Sequence, residues 1–90
     1  MNVTVKTFAQ LREITQEGSF TLTLPDSTVT MGDVITLLKG RSEKWAQALG
    51  ASAGSENGSV LMARNQQLCD IQTHVQPGDE LAFFPPVTGG

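Results

Sequence analysis

The first stretch of the chain, residues 2–8, alternates apolar and polar positions. Val3 and Val5 fall on one face of this stretch, and Phe8 falls on the other. A two-residue period is the pattern of a half-buried β-strand. Further strands are predicted from apolar runs bounded by turn residues, at 19–24, 59–64, 67–71 and 80–84.

Between these strands, apolar residues recur at the three- and four-residue spacing of a helix. A short helix is predicted over Ala9–Thr15, after the first strand. A longer helix begins after Thr30, a residue type that caps helix N-termini, and Asp33 in its first turn supports this start. We expect Gly40 to end this helix. Its apolar face consists of Met31, Val34, Ile35 and Leu38.

A second, shorter helix follows the longer one. Ser42 is placed to cap it, Trp45 and Leu49 lie one turn apart, and Gly50 is expected to terminate it. We interpret Trp45 as a core residue rather than a ligand-binding one.

The resulting order, β-α-β-α-β-β-β, predicts an α+β domain with a helix packed across one face of a mixed sheet of about five strands. We assign residues 1–84 to this domain and 85–90 to an extended, flexible C-terminal tail. Residues 50–58 are small and polar, which is typical of a mobile surface loop rather than a linker between domains.

Charge and hydropathy exclude several kinds of partner. The net charge is −3 and the six Lys and Arg residues are scattered, so we expect no nucleic-acid partner. No apolar run approaches the ~20 residues of a membrane span, which predicts no membrane partner. The N-terminus begins in strand pattern without a signal-peptide core, and Cys69 is the only cysteine. Both features predict a cytoplasmic protein.

Side chains suited to catalysis are sparse. His74 is the only histidine, so no metal cluster or catalytic triad is predicted around it. Cys69 precedes Asp70, whose charge would disfavour a thiolate. Asp79 and Glu80 form an acidic pair at a turn, which we interpret as solvated. The distinctive reactive group is instead the α-carboxylate of Gly90, which is ionised at pH 7 and needs activation by a partner before it can react.

The final six residues are suited to carrying that carboxylate into another protein. The two prolines favour an extended path, and the two glycines leave the tip without side chains, so it fits a narrow channel. Six extended residues reach about 20 Å. The residues of this tail are Pro85, Pro86, Val87, Thr88, Gly89 and Gly90.

The alternation of side chains along the first and last strands predicts a docking surface at the root of the tail, the point where the last strand ends and the tail begins. If Val3 and Val5 face the core, Phe8 points outward; if Leu81 and Phe83 are core, Phe84 points outward as well. Outward-facing phenylalanines indicate a partner-binding surface rather than solvated sheet, although a twist at a strand end could bury one of them.

Several motifs identify the chain as similar to the MoaD-type sulfur carriers, the small subunits of molybdopterin synthase. The most specific is Gly-Asp-Glu-Leu-Ala-Phe-Phe-Pro-Pro-Val-Thr-Gly-Gly at 78–90, and the second is Phe-Ala-Gln-Leu-Arg-Glu at 8–13. Weaker matches lie at 44–49 and 65–66. The resemblance spans essentially the whole chain, departing from it at the 50–58 loop, which looks longer than a compact member needs.

The resemblance implies a ubiquitin-like β-grasp fold and a subunit that is not an enzyme by itself. Members carry sulfur as a C-terminal thiocarboxylate, here on Gly90, and bind no cofactor permanently. A MoeB-type E1-like enzyme adenylates the glycine with ATP, and a sulfurtransferase or cysteine desulfurase then supplies sulfur. The tail inserts into a MoaE-type large subunit within a heterotetramer. There it donates sulfur to cyclic pyranopterin monophosphate, forming the dithiolene of molybdopterin. Phe84, with Phe8 and Leu68, would anchor the carrier on its partner.

Other functions fit the same tail. A ThiS-type carrier for thiazole synthesis also ends in diglycine, although such chains are usually shorter and lack the Phe-Phe-Pro-Pro approach. A ubiquitin-like modifier would form isopeptide bonds through Gly90. A binding module with an inert tail would need no activation at all.

Overall fold

A computed structural model describes residues 1–49 and 60–84 of the chain. Its elements follow one another in the order β1 (Asn2–Thr7), α1 (Ala9–Thr15), β2 (Ser19–Thr23), α2 (Met31–Arg41), α3 (Glu43–Leu49), β3 (Leu61–Arg64), β4 (Gln67–Cys69) and β5 (Glu80–Phe84). The predicted mobility of the 50–58 loop, the end of α3 at Gly50 and the path of the tail at 85–90 lie outside the described residues.

The strands form one mixed sheet of five strands in the order β2-β1-β5-β3-β4. β1 and β5 are parallel neighbours at its centre, while β2, β3 and β4 pair antiparallel. The last described strand therefore lies between the first strand and the β3–β4 hairpin. The predicted fold class, a mixed sheet with helical cover, is confirmed.

The start of α2 follows the sequence prediction, but its end does not. Thr30 Oγ1 accepts the N–H of Asp33, and the Asp33 carboxylate accepts the N–H of Thr30, which forms a capping box. The expectation that Gly40 ends the helix is wrong, because α2 continues through Gly40 to Arg41. A helical glycine costs only about 1 kcal/mol relative to alanine. The ion pair of Arg41 with Glu17, at 2.9 Å, holds the last turn in place.

The core lies between the helices and one face of the sheet. Trp45 is fully buried and meets Phe20 and Phe83 edge-on, at ring-centroid distances of 5.8 and 6.4 Å. The interpretation of Trp45 as a core residue is confirmed. Other side chains with 0% exposure are Val5, Met31, Val34, Leu38, Leu49, Leu81 and Phe83.

The β3–β4 hairpin is shorter than the sequence predicts. β3 begins at Leu61 rather than at 59, and β4 ends at Cys69 rather than at 71. Asp70 ends β4, since its Oδ1 accepts the N–H of Gln72 at 2.8 Å and turns the chain away from the sheet.

Within the described part of the chain, no helix is long and apolar enough to span a membrane. The cytoplasmic location stays a prediction.

Candidate partner-docking face

β5 sends its two phenylalanines to opposite faces of the sheet. Leu81 and Phe83 are fully buried, whereas Phe84 is half-buried on the opposite face. Alternation along an extended strand forces this separation. The predicted assignment of Phe83 to the core and Phe84 to the outer face is confirmed.

Phe8 lies beside Phe84 at the end of the central strand pair. The parallel register places Thr7 opposite Phe83, and the N–H of Phe8 donates to the carbonyl of Phe83 at 3.2 Å. Phe8 also occupies the N-cap position of α1 in an extended conformation, and the positive φ of Ala9, 52°, turns the chain into the helix. Its side chain is 49% exposed, so the predicted outward orientation is confirmed.

Leu68 lies on the same face, two strands further along. It stands opposite Ala63, which in turn stands opposite Ala82 on β5, and it is 73% exposed. Leu61, opposite Phe84, occupies the neighbouring row. The predicted docking residues Phe8, Leu68 and Phe84 therefore lie on one surface, with small and apolar residues between them. We call this surface the apolar half of the outer face; its members are Phe8, Leu61, Ala63, Leu68, Ala82 and Phe84.

Two of these members were not predicted from the sequence. Leu61 and Ala63 belong to the surface because β3 pairs with β5 at a particular register, whereas the outward position of Ala82 follows from alternation along β5 itself. Alternation along a strand shows which of its residues share a face, but it does not show which strands are neighbours in the sheet. The signal that could have found these residues is a correct strand order.

The remainder of the outer face is polar. β2 and β1 contribute hydroxyl-bearing and charged side chains there, and Lys6 pairs with Glu80 at 3.1 Å along its boundary with the apolar half. We call this surface the polar half; its members are Thr4, Lys6, Ser19, Thr21 and Thr23.

Asp79 fixes the start of β5, and its environment corrects the expectation of a solvated acid. The residue is only 6% exposed. Burial by itself would raise the pKa of this carboxyl, but hydrogen bonds from Arg64, the N–H of Gln76 and the side chain of Asn65 outweigh it. The pKa therefore lies below its ordinary value of 3.8. A buried carboxylate is acceptable where it is fully hydrogen-bonded, as here.

Cys69 and His74 are not part of the outer face: Cys69 lies on the inner face of β4, opposite the buried Met62, and His74 lies between β4 and β5. Cys69 is half-buried against the core, and that burial raises the pKa of its thiol; Asp70 adds to the rise, while Thr73 and Arg64 oppose it. His74 is exposed and pairs with Thr30 through an isolated bridge. Across residues 1–49 and 60–84, no group of histidine, cysteine or acidic side chains could hold a metal ion.

A shallow cleft of about 230 Å³ lies beside α2, away from the predicted site residues. Its lining consists of Pro25, Ser27, Thr28, Asp33, Thr36 and Leu37. Asp33 is occupied by the capping box, in which it accepts the N–H groups of Val29 and Thr30. The cleft therefore offers no uncommitted ionised group.

Residues 5–90 match the model of the ThiS family. The chain belongs to that family. The match includes the apolar half of the outer face, the diglycine and the whole tail. The molybdopterin synthase sulfur carrier subunit of Haemophilus influenzae is 43% identical over 83 residues, which cover 92% of this chain and 93% of that protein. Together with the family match, this identity confirms the resemblance to MoaD-type carriers.

Solved structures agree on the fold. The crystal structure of SAMP1 from Haloferax volcanii superposes with a TM-score of 0.81 at 27% identity, covering both chains fully. A complex of subunits 1 and 2 of the molybdopterin-converting factor from Helicobacter pylori superposes with a TM-score of 0.66 at 23% identity, again over the full length of both chains. The fold is therefore a ubiquitin-like β-grasp. The relatives from Haemophilus influenzae and Escherichia coli, the latter 38% identical, are sulfur carrier subunits of molybdopterin synthase; this agrees with the expectation of a carrier subunit that is not an enzyme by itself.

Proposed function

We propose that this protein is the sulfur-carrier subunit of a molybdopterin synthase. The observation that carries the proposal is the continuity of the apolar half with the root of the tail at Phe84. A partner that covers this face would also meet the residues that follow Phe84. The 43% identity to a carrier subunit of that synthase supports the same function.

The chemistry resides at Gly90, the last residue of the sequence. Its carboxylate is a poor electrophile until it is activated. A MoeB-type E1-like enzyme adenylates it with ATP and releases pyrophosphate. A sulfurtransferase or cysteine desulfurase supplies persulfide sulfur that displaces AMP, and a thiol reductant then cleaves the resulting acyl disulfide to leave the thiocarboxylate. The thiocarboxylate then donates sulfur to cyclic pyranopterin monophosphate. The carrier itself needs no bound cofactor, and the location of this chemistry is cytoplasmic.

Docking to the MoaE-type large subunit uses Phe8, Leu68 and Phe84 as anchors. A few side chains near the centre of an interface carry most of the binding energy when the partner fully covers them, and the two phenylalanines and Leu68 are large exposed or half-buried apolar groups of this face. The tail, from Pro85 to Gly89, then enters the active site of the large subunit. Two carriers flank a dimer of large subunits in a heterotetramer.

Intact-mass spectrometry and single-turnover kinetics test the proposal together. After incubation with ATP, the activating enzyme and a sulfur donor, we expect the mass gain of one sulfur replacing one oxygen. The product should convert cyclic pyranopterin monophosphate in the presence of the large subunit. Deleting Gly90, or adding a residue after it, should abolish both results while the domain stays folded, because residues at a chain terminus usually contribute little to stability. Normal synthesis by the Gly90-deleted chain would contradict the proposal.

A protein-modifier function is the second candidate, favoured by the similarity to small archaeal modifier protein 1 of Haloferax volcanii, at 33% identity over 94% of this chain. It predicts isopeptide adducts between Gly90 and lysines of other proteins. A ThiS-type role in thiazole synthesis predicts the same thiocarboxylate with a different acceptor. Supplying the thiocarboxylated carrier with each acceptor system separately distinguishes these functions.

A further inference from the structure

The strand that carries Leu68 is weakly held by its own pairing. β4 contains three residues, lies at the edge of the sheet and pairs with β3 alone among the described strands. Leu68 itself is 73% exposed, so its side chain adds little packing. A short edge strand of this kind frays readily unless other contacts hold it.

The turn of the β3–β4 hairpin is attached to the start of β5. Its two residues, Asn65 and Gln66, have φ values of 51° and 71°, the left-handed conformation of a tight hairpin turn. The N–H of Asn65 donates to the carbonyl of Glu80 at 2.8 Å, and the N–H of Glu80 donates to Asn65 Oδ1 at 2.9 Å. The turn is thus hydrogen-bonded to the strand that leads into the tail.

Asp79 is the centre of this attachment. Its Oδ2 accepts Arg64 Nε at 2.6 Å and the N–H of Gln76 at 2.7 Å, and its Oδ1 accepts Asn65 Nδ2 at 3.0 Å. Its carbonyl accepts the N–H of Thr4 at 2.9 Å. One buried carboxylate therefore joins the end of β3, the hairpin turn and the start of β5.

We propose that Asp79 is a positioning residue for partner docking, which holds the hairpin bearing Leu68 at a fixed place relative to Phe84. This inference rests on the proposed function. Because Asp79 is buried, it acts through Leu68 rather than by touching the partner. A face whose anchors are already in place loses less conformational freedom when it binds, and this is the advantage that Asp79 provides.

Phe8 supplies an internal contrast. It is attached to β1 and to the Phe83 carbonyl, and it shares none of the hydrogen bonds of Asp79. Loss of the Asp79 carboxylate should therefore release Leu68 while leaving Phe8 in position. A general loss of stability would affect both anchors alike.

The test is a pair of double-mutant cycles on the full chain, measured as affinity for a purified MoaE-type large subunit. Asp79→Asn should weaken binding by about tenfold. In that background Leu68→Ala should add less than about twofold, whereas Phe8→Ala should keep its full effect. Glu17→Gln is the matched control, because it disrupts the other carboxylate–arginine pair, between Glu17 and Arg41. In the Glu17→Gln background, both alanine substitutions should keep their full effects.

Amide hydrogen exchange on the free carrier tests the attachment without any partner. Exchange of the β4 amides should be about tenfold faster in Asp79→Asn than in the wild type, with the β1–β2 amides unchanged. Asn65→Gly, which keeps the positive φ of the turn but removes its side-chain hydrogen bonds, should act in the same direction and replaces Asp79→Asn if that variant does not fold.

Wild-type β4 exchange in a folded variant, or equal coupling of Asp79 to Leu68 and Phe8, would overturn the proposal. If the wild-type carrier fails to bind the large subunit, the proposed function is wrong, and hydrogen exchange still decides whether Asp79 holds the hairpin.

Discussion

The two halves of the outer face share one sheet but differ in chemistry. The polar half, on β2 and β1, presents hydroxyls and the Lys6 ammonium, as a solvated sheet surface does. The apolar half, on β5, β3 and β4 together with Phe8 just after β1, exposes Phe8 and Leu68 instead. Phe84, the residue that precedes the tail in the sequence, belongs to the apolar half. Because both halves cover the same core, the demands of folding do not explain this difference, whereas a partner that covers only one half does.

Each side of the sheet also has its own carboxylate–arginine pair. Beside β2, Glu17 accepts Arg41 and Trp45 Nε1 at 2.9 and 2.8 Å, and Arg41 lies 4.5 Å from the centre of the Phe20 ring. Beside β5, Asp79 accepts Arg64 at 2.6 Å. The first pair ties loops to helices, and the second ties the docking strands to one another. Folding and docking should therefore respond to substitutions on different sides of this division.

The largest loss of folding stability is expected when a core-facing side chain of β5 is removed. Phe83→Ala removes a fully buried ring and should lower the free energy of unfolding by about 3–5 kcal/mol. Phe84→Ala, on the outer face, should cost about 1 kcal/mol or less. Urea denaturation of both variants measures the difference. Equal losses would show that Phe84 is a core residue and that the two faces have been assigned wrongly.

Acid should weaken the Asp79 pair more than the Glu17 pair. The folded pKa of both carboxyls is lowered, below ordinary values of 3.8 for Asp79 and 4.5 for Glu17. The two ionised carboxylates therefore stabilise the folded state at pH values above those ordinary pKa values, and this stabilisation is lost as the pH falls below them. Asp79→Asn should cost about 1.5–3 kcal/mol at pH 7, as hydrogen bonds to a charged group do. Glu17→Gln, at a more exposed site, should cost under about 1 kcal/mol.

Unfolding free energies measured from pH 7 down to pH 2 check this expectation. The cost of Asp79→Asn should shrink as the wild-type carboxylate becomes protonated. A cost that is independent of pH would show that the charge of Asp79 contributes nothing to stability.

Affinity for the large subunit should fall when residues of the apolar half are substituted and should not change when residues of the polar half are. Phe84→Ala should weaken association with the large subunit by about 1–3 kcal/mol, the range of a moderate anchor to a hot spot. Thr21→Ala, on the polar half, is the matched control and should change binding by less than about 0.5 kcal/mol. Isothermal titration calorimetry measures both. Equal losses would remove the distinction between the halves.

Local patterns predicted the elements and their faces well because both depend on near neighbours. The Thr30 capping box and the opposite orientations of Phe83 and Phe84 follow from spacing along one segment. The burial of Asp79 and the contributions of Leu61 and Ala63 could not be found in this way. They depend on β3 lying beside β5, a contact between distant segments. Gly40 was misjudged because Arg41 is held by Glu17, another distant partner.

The smallest effects should come from the two side chains that resemble catalytic groups. Cys69→Ser and His74→Gln should each retain thiocarboxylate formation and molybdopterin synthesis within a few-fold. A thiocarboxylate needs no cysteine, and the raised pKa of the Cys69 thiol, caused first by burial, disfavours the nucleophilic thiolate. His74 is exposed, and its backbone is engaged with Thr30. The assay is a single turnover with fully thiocarboxylated carrier, and circular dichroism confirms folding. A folded Cys69→Ser protein that accepts sulfur on Gly90 but cannot transfer it would show that the thiol relays sulfur.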